Sequence, residues 1–256
     1  MAGSLTVVGT GIQLAVHLTP IARAAIERAD ELLYLVRDPV TRSWITRLNA
    51  NNRSLSELYI AGRPRAEAYQ AMVDEILTSV RLGKAVCAAF YGHPGIFVEP
   101  GHAAVRQARE EGFRATMQPG ISAEDCLFAD LGLDPADNGC QSFEATTFLI
   151  HDYGIERSAI LILWQIGVIG QLATGPVSSD GMIALVERLA DDYPPEHETI
   201  IYEASPYPFI DPLVRRVPLS DLASVNVPTL ATLVIPPAGK ASLNLTTLDR
   251  LGLPRS

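Results

Sequence analysis

The sequence predicts an α/β protein, and three observations predict it. Short apolar runs recur at 5–8, 32–36, 84–91 and 160–164, stretches of helical periodicity separate them, and several runs empty into glycine-rich turns. Apolar strands that alternate with helices indicate sheets covered on their faces, because a strand apolar on both sides must be buried on both.

Each element has a local signal. Residues 5–8 end in Gly9-Thr10-Gly11, and 20–29 then shows amphipathic spacing, with Thr19 placed to cap and Pro20 at the first helical position. A second strand is expected at 32–36, a polar helical stretch near 41–49, and a long helix over 65–82 closed by Gly83, where a left-handed residue is favoured. The strand at 84–91 runs into Gly92-His93-Pro94-Gly95, a helix follows at 102–111 with Gly112 behind it, and a short strand at 114–117 leads into Gln118-Pro119-Gly120. In the second half a helix is expected at 122–131, capped by Ser122 with acids in its first turn. Strands are expected at 148–150, 160–164, 199–203 and 230–235, and a helix at 181–190. The hinge expected at 117–123 divides the chain into subdomains 1–118 and 119–256.

Composition narrows the function. The chain has 256 residues, 48% of them hydrophobic, and Asp+Glu 29 against Lys+Arg 20 gives a net charge of -9. That balance argues against a nucleic-acid track, which needs a basic stripe to displace counterions. No apolar window reaches the length of a membrane helix. Cys87, Cys126 and Cys140 have no C-x-x-C spacing and the five histidines no helical pairing, so neither a disulfide framework nor a metal site is expected. With no secretory pattern at the amino terminus, a reducing cytoplasm is expected.

The glycine loops point to a small-molecule ligand. Gly9-Thr10-Gly11 is half of a dinucleotide fingerprint, lacking its third glycine, and Asp38 beside Pro39 reads as readily as a helix cap as a ribose ligand. Tyr91-Gly92-His93-Pro94-Gly95 lies at the carboxyl end of a buried strand, where open α/β sheets bind ligands, and carries no phosphate-gripping Lys. A loop with backbone groups and little charge suits a zwitterionic, adenine-bearing ligand better than a polyphosphate.

These motifs also carry a resemblance. Val8-Gly9-Thr10-Gly11, Tyr91-Gly92-His93-Pro94-Gly95 and Pro119-Gly120-Ile121-Ser122-Ala123 resemble the tetrapyrrole methylases, which usually have Gly-Asp-Pro where this chain has Gly-His-Pro. The departure, together with Tyr59-Ile60-Ala61-Gly62-Arg63-Pro64-Arg65 and Tyr69, is similar to the borosin peptide backbone α-N-methyltransferases. Asp134-Pro135, Gly139-Cys140, Gln165-Ile166-Gly167, Tyr202, Asp211-Pro212 and Ile235-Pro236-Pro237 fall in corresponding order, so the resemblance runs from Gly3 to about Leu253.

The resemblance implies a tetrapyrrole methylase-like fold of two α/β subdomains with the cofactor site in the cleft between them. It also implies S-adenosylmethionine as cofactor, with S-adenosylhomocysteine as product. The reaction is demanding because resonance withdraws the amide lone pair, so a base and a donor to the amide oxygen are both needed. Arg65 and Tyr69, at i and i+4, share a helix face, and a guanidinium beside a phenol is expected to lower its pKa. The matching motif makes Tyr69 or Tyr59 the proton acceptor and Arg65 the group that polarises phenol and amide oxygen; Tyr91 orients the amide or contacts the sulfonium. Cofactor contacts are expected from the 93–98 loop (His93, Ile96, Val98), Ser122, Ala123, Gln165, Tyr202, Ala204, Leu230, Ala231 and Thr232. Taken singly, an Arg and Tyr at this spacing are more often a packing pair, Gln165 a satisfied buried amide, and Ser122 a helix cap.

Two other functions compete. A tetrapyrrole or corrin precursor C-methyltransferase would use basic residues such as Arg53, Arg63 and Arg65 for ring carboxylates, and a non-catalytic peptide-binding module would keep the fold without the chemistry. The Tyr-Arg-Tyr set favours the peptide. The resemblance further implies a homodimer, with 143–150 and 166–169 as apolar interface candidates that read equally as core. Because the sequence stops at Ser256, without the precursor extension of the fungal enzymes, the expected substrate is a separate precursor peptide bound in trans.

Overall fold

In a computed structural model that describes residues 2–60, 62–171 and 179–254, the strands form two sheets, each of five strands among the described residues. The first compact unit holds 2–60, 62–131, Gln171 and Ala204–Leu213; the second holds Gly132–Gly170, 179–203 and 214–254. Ala61, inside the Tyr59–Tyr69 motif, and Arg255-Ser256 lie outside the described residues.

The first unit runs β1 (Ser4–Gly9), α1 (Pro20–Arg28), β2 (Glu31–Leu35), α2 (Pro39–Ile45), β3 (Asn52–Ser54), α3 (Arg65–Arg81), β4 (Ala85–Phe90), α4 (Glu99–Glu110), β5 (Arg114–Met117) and α5 (Ala123–Leu131). Its sheet has the order β3-β2-β4-β1-β5 and is parallel throughout. Alternation along the strands separates two cores. Leu5, Val7, Leu33 and Phe90 pack with Met72, Ile76 and Leu77 of α3 and Ala104 of α4. Val8, Leu32, Tyr34 and Ala89 pack with Ala22 and Ile26 of α1 and Ile45 of α2. Each large side chain buried in this way contributes about 1.5–3 kcal/mol.

Local chemistry sets the helix ends. Thr19 Oγ1 accepts from the Ala22 N–H at 3.2 Å, Asp38 Oδ2 from Thr41 at 2.6 Å, and Gly83 closes α3 with φ +85°. α4 begins at Glu99 rather than 102, since Pro100 fits a first turn whose N–H groups lack intrahelical partners anyway. α2 ends at Ile45 rather than continuing to 49.

The second unit comprises α6 (Pro135–Asn138), β6 (Cys140–Glu144), α7 (Ala145–Ile150), β7 (Ile160–Trp164), α8 (Asp180–Ala190), β8 (Glu198–Glu203), β9 (Leu213–Pro218), β10 (Thr232–Ile235) and α9 (Leu245–Leu251). Its sheet, ordered β6-β7-β10-β8-β9, is mixed: β6 and β7 are parallel, and β10 is antiparallel to both β7 and β8. The strand expected at 148–150 is instead the end of α7. Glu144 accepts from the Thr147 N–H at 2.7 Å and starts a helix whose short apolar run mimics a strand. Phe148 is buried in this unit while Ile150 is 71% exposed, and Ile166, Val168 and Ile169 are buried, so these interface candidates are largely internal to the unit.

The first unit extends past the expected boundary at 118 in two places. It includes α5, and it takes back Ala204–Leu213, where Leu14 N–H donates to Pro206 C=O at 2.9 Å and the Tyr207 hydroxyl donates to Asp38 Oδ1 at 2.7 Å. Among the described residues no helix is long and apolar enough to cross a membrane.

Candidate active site

Three glycine loops meet at the carboxyl edge of the first sheet. Gly11 and Gly92 exchange both backbone hydrogen bonds at 3.1 Å, each with φ +70°. A Cβ on Gly9 would lie 2.1 Å from the Gly92 oxygen and 2.8 Å from Pro94 Cδ, and one on Gly120 would stand 3.4 Å from the same oxygen. Gly9 and Gly120 therefore let the loops pack on one another. Beyond them, His93 Nδ1 accepts from the Gly95 N–H at 3.0 Å, and His102 Nε2 donates to the Gly95 carbonyl at 2.8 Å. Ile96 and Phe97 protrude, 38% and 48% exposed, and Phe97 has φ +54°, a strained conformation for an aromatic residue. Val98 turns back onto the core.

The tyrosine set is assembled by α3 and the turn before it. Tyr59 follows a short 3-10 turn, its N–H bonded to the Ser56 carbonyl at 3.1 Å, and its ring meets Tyr69 edge to face with centroids 6.3 Å apart. Both rings pack half-buried against the α3 core. Burial raises the Tyr59 pKa above 10, the Tyr69 charge and a hydrogen bond with Tyr69 add to this, and Arg65 and Arg37 pull against it. At Tyr59 the guanidiniums do pull the phenol pKa down, but burial outweighs them. Arg65 Nη2 donates to Gln171 Oε1 at 3.3 Å. Tyr91, half-buried at the end of β4, is held by its N–H to the Leu35 carbonyl at 3.1 Å.

Two basic residues change standing. Arg37 was not foreseen, although it follows β2 at the same carboxyl edge, the position that should have flagged it. Arg53, expected beside Arg63 and Arg65, is instead ion-paired to Glu31 at 3.2 Å and to Glu75, so it is not available for a substrate carboxylate.

Ser122 is a cap. Its Oγ and N–H both donate to Asp125 Oδ2, at 2.6 and 2.7 Å, and the Oγ accepts from the Asp125 N–H at 3.1 Å, the reciprocal arrangement of a capping box. Ser122 and Ala204 are buried and Ala123 is half-buried. Next to them, Ile121, Ala204, Gln13, His17, Asp125 and Cys126 help line a cavity of about 340 Å³. Burial, reinforced by Asp130 and Asp125, pushes the Cys126 thiol up to about 11, and burial lowers His17 despite the same two acids. Among the described residues no group of three or more His, Cys, Asp or Glu is placed to hold a metal ion.

The remaining candidates lie together on the second unit. Thr232 of β10 is the register partner of Tyr202 of β8, and the Ile166 N–H, one residue beyond Gln165, donates to the Ala231 carbonyl at 3.1 Å. One sheet edge thus gathers Gln165, Tyr202, Ala231 and Thr232, with Leu230 43% exposed beside them. Gln165 is left-handed, φ +62°, and Gly167 is required because a Cβ would lie 2.1 Å from the Pro228 oxygen.

Residues 4–222 match the model of the Tetrapyrrole (Corrin/Porphyrin) Methylases. The chain is 40% identical, over 98% of its length, to the methyltransferase/ribosomally synthesized type I borosin cyclic peptide precursor cmaMA of Coprinopsis marcescibilis, covering 67% of that protein. It is 39% identical, over 98%, to the omphalotin A precursor methyltransferase ophMA of Omphalotus olearius, covering 62% of it. The chain therefore spans about three fifths to two thirds of these relatives. In structure it is similar to a uroporphyrin-III-C-methyltransferase from Thermus thermophilus, with a TM-score of 0.67 at 20% identity and coverage of 100% and 99% of the two chains. A second Thermus thermophilus structure, complexed with S-adenyl homocysteine, gives a TM-score of 0.59 at 18% identity, covering 91% and 92%.

Proposed function

The chain belongs to the tetrapyrrole (corrin/porphyrin) methylases, among the borosin precursor methyltransferases, and from that membership we propose that it N-methylates backbone amides of a precursor peptide. The observation that carries the reading is the Tyr59–Tyr69 edge-to-face pair, with Arg65 on the helix that bears Tyr69. S-adenosylmethionine is the proposed cofactor; when bound, it supplies an electrophilic sulfonium methyl.

The residues present fit such a ligand. The exposed Ile96 and Phe97 offer apolar surface to an adenosine or thioether, and the His93–Val98 loop carries no residue that would grip a polyphosphate. Gln165, Tyr202, Leu230, Ala231 and Thr232 are a second set of proposed contacts, and Ser122, Ala123 and Ala204 a third. Strain at Phe97 and Gln165, in two of these segments, is the kind of backbone cost that persists where function over-determines a conformation.

Chemistry on the amide belongs to the tyrosines and the arginine. Tyr69 removes the N–H proton, so that nitrogen electron density becomes available, and Tyr59 supports it through the neighbouring hydroxyl. Arg65 stabilises the negative charge that moves onto the amide oxygen. Tyr91 orients the peptide. The ion-paired Arg53 counts against a polycarboxylate ring as substrate, and a homodimer in the cytoplasm is the proposed working form. The test is methyl transfer from S-adenosylmethionine to a purified trans peptide, run beside uroporphyrinogen; transfer to the ring alone overturns the reading.

A further inference from the structure

The turn between β4 and α4 is organised around Gly95, which two histidines hold through both of its backbone polar groups. Its N–H donates to His93 Nδ1 at 3.0 Å, and its carbonyl accepts from His102 Nε2, on the first turns of α4, at 2.8 Å. The partners fix the imidazole protons. A carbonyl only accepts, so His102 carries a proton on Nε2, and a backbone N–H only donates, so His93 Nδ1 carries none. The Ile96 N–H closes the turn onto the His93 carbonyl at 3.5 Å.

Neighbouring residues leave this turn little room. A Cβ on Gly101 would lie 2.7 Å from the Pro94 oxygen, so that glycine lets α4 approach closely enough for the next residue, His102, to reach Gly95. A Cβ on Gly95 would lie 2.8 Å from Met117 Sδ and 3.0 Å from His102 Nε2, so β5 and α4 both close on it. Just past the clamped residue the chain turns outward: Ile96 and Phe97 are exposed, Phe97 takes φ +54°, and Val98 then returns to the core. A left-handed aromatic residue persists only where its surroundings over-determine it, and the two histidine bonds constrain the backbone two residues ahead of Phe97.

We infer that His102 is a positioning residue for the cofactor site: its bond to the Gly95 carbonyl holds the 95–97 turn so that Ile96 and Phe97 present apolar surface to the adenosine or thioether of S-adenosylmethionine. The inference rests on the cofactor proposed above and not on which acceptor is methylated. His102 touches no reacting atom, and its effect is carried by the turn. Without the bond, the cofactor must order the turn as it binds, a cost that enters affinity rather than the chemical step.

Calorimetry of the full chain with S-adenosylhomocysteine should show His102→Ala binding about three- to tenfold more weakly than the unaltered chain, the scale of one hydrogen bond. His102→Gln, whose amide N–H can reach the same carbonyl, should restore most of the affinity. Amide hydrogen exchange without cofactor should quicken at Ile96 and Phe97 in His102→Ala but not in His102→Gln, with the three thermal melts alike. With any acceptor that is turned over, His102→Ala should raise the KM for S-adenosylmethionine and leave kcat unchanged. Unaltered affinity in His102→Ala, equal weakening in both variants, unaltered exchange, or a fall in kcat at constant KM overturns the positioning role. If the unaltered chain does not bind S-adenosylhomocysteine, the proposed cofactor falls and the positioning role falls with it. A failure of backbone N-methylation alone leaves calorimetry and exchange as predicted, and so separates the two proposals.

Discussion

The Tyr59 ring stands edge-on to Tyr69, with an interplanar angle of 79° and centroids 6.3 Å apart, and burial, with Tyr69 beside it, raises the Tyr59 pKa. The proposed roles of the two differ. Tyr69→Phe should reduce methyl transfer by about 100-fold or more, the scale of a lost general base, without changing cofactor affinity by calorimetry. Tyr59→Phe should reduce it less. The Tyr59 pKa is raised, so it stays neutral through pH 10, and absorbance titration at the tyrosinate band should lose no early-titrating group in Tyr59→Phe. Loss of such a group would reverse the assignment.

Gly9→Ala tests the loop cluster. The new methyl would collide with the Gly92 oxygen and Pro94, both backbone-locked, so a cost of about 1–3 kcal/mol or more is expected in urea unfolding. Gly112→Ala meets no neighbouring atom, but has φ +84° and should cost about 1 kcal/mol through backbone strain alone. Equal costs would show that the close approach at Gly9 is unimportant.

Glu31 anchors the acid limb of stability. Burial opposes its charge, yet hydrogen bonds and charges from Lys84 and Arg53 hold its carboxyl below the ordinary 4.5. A carboxyl with a depressed folded pKa stabilises the fold above its unfolded value and loses that contribution as pH falls through the folded one. Melting curves from roughly pH 5 down to pH 3 should thus fall less steeply in Glu31→Gln than in the unaltered chain. Parallel curves would contradict the coupling.

Asp38 does two jobs, capping α2 and accepting the Tyr207 hydroxyl from the returning 204–213 segment. Asp38→Ala should cost about 1 kcal/mol for the cap and also release the segment. Tyr207→Phe should release the segment alone. Hydrogen exchange across 204–213 should rise in both; protection unchanged in Tyr207→Phe would show that Leu14 and Pro206 suffice to hold it.

The buried strands were readable because an apolar run bounded by glycine leaves little choice, as at β1, β4 and β7. Edge strands were not: β3 is Asn-Arg-Ser and β9 has Arg215 and Arg216 on an exposed rim, so neither carries an apolar signal. At α7 a run too short to show its period was capped by Glu144, an uncommon capping residue. The tyrosine motif located Tyr59 and Tyr69 together, but the direction of the Tyr59 shift depends on burial, which spacing does not report. Arg37 and Gln171 were invisible for the same reason: each meets the motif through the fold, not through sequence proximity.

The central claim is tested most directly by tandem mass spectrometry of a candidate precursor peptide incubated with the protein and S-adenosylmethionine. The account predicts methyl increments on fragment ions that place them on backbone nitrogens, lost in Tyr69→Phe. Increments confined to side chains, or unmodified peptide beside a methylated tetrapyrrole ring, would contradict it.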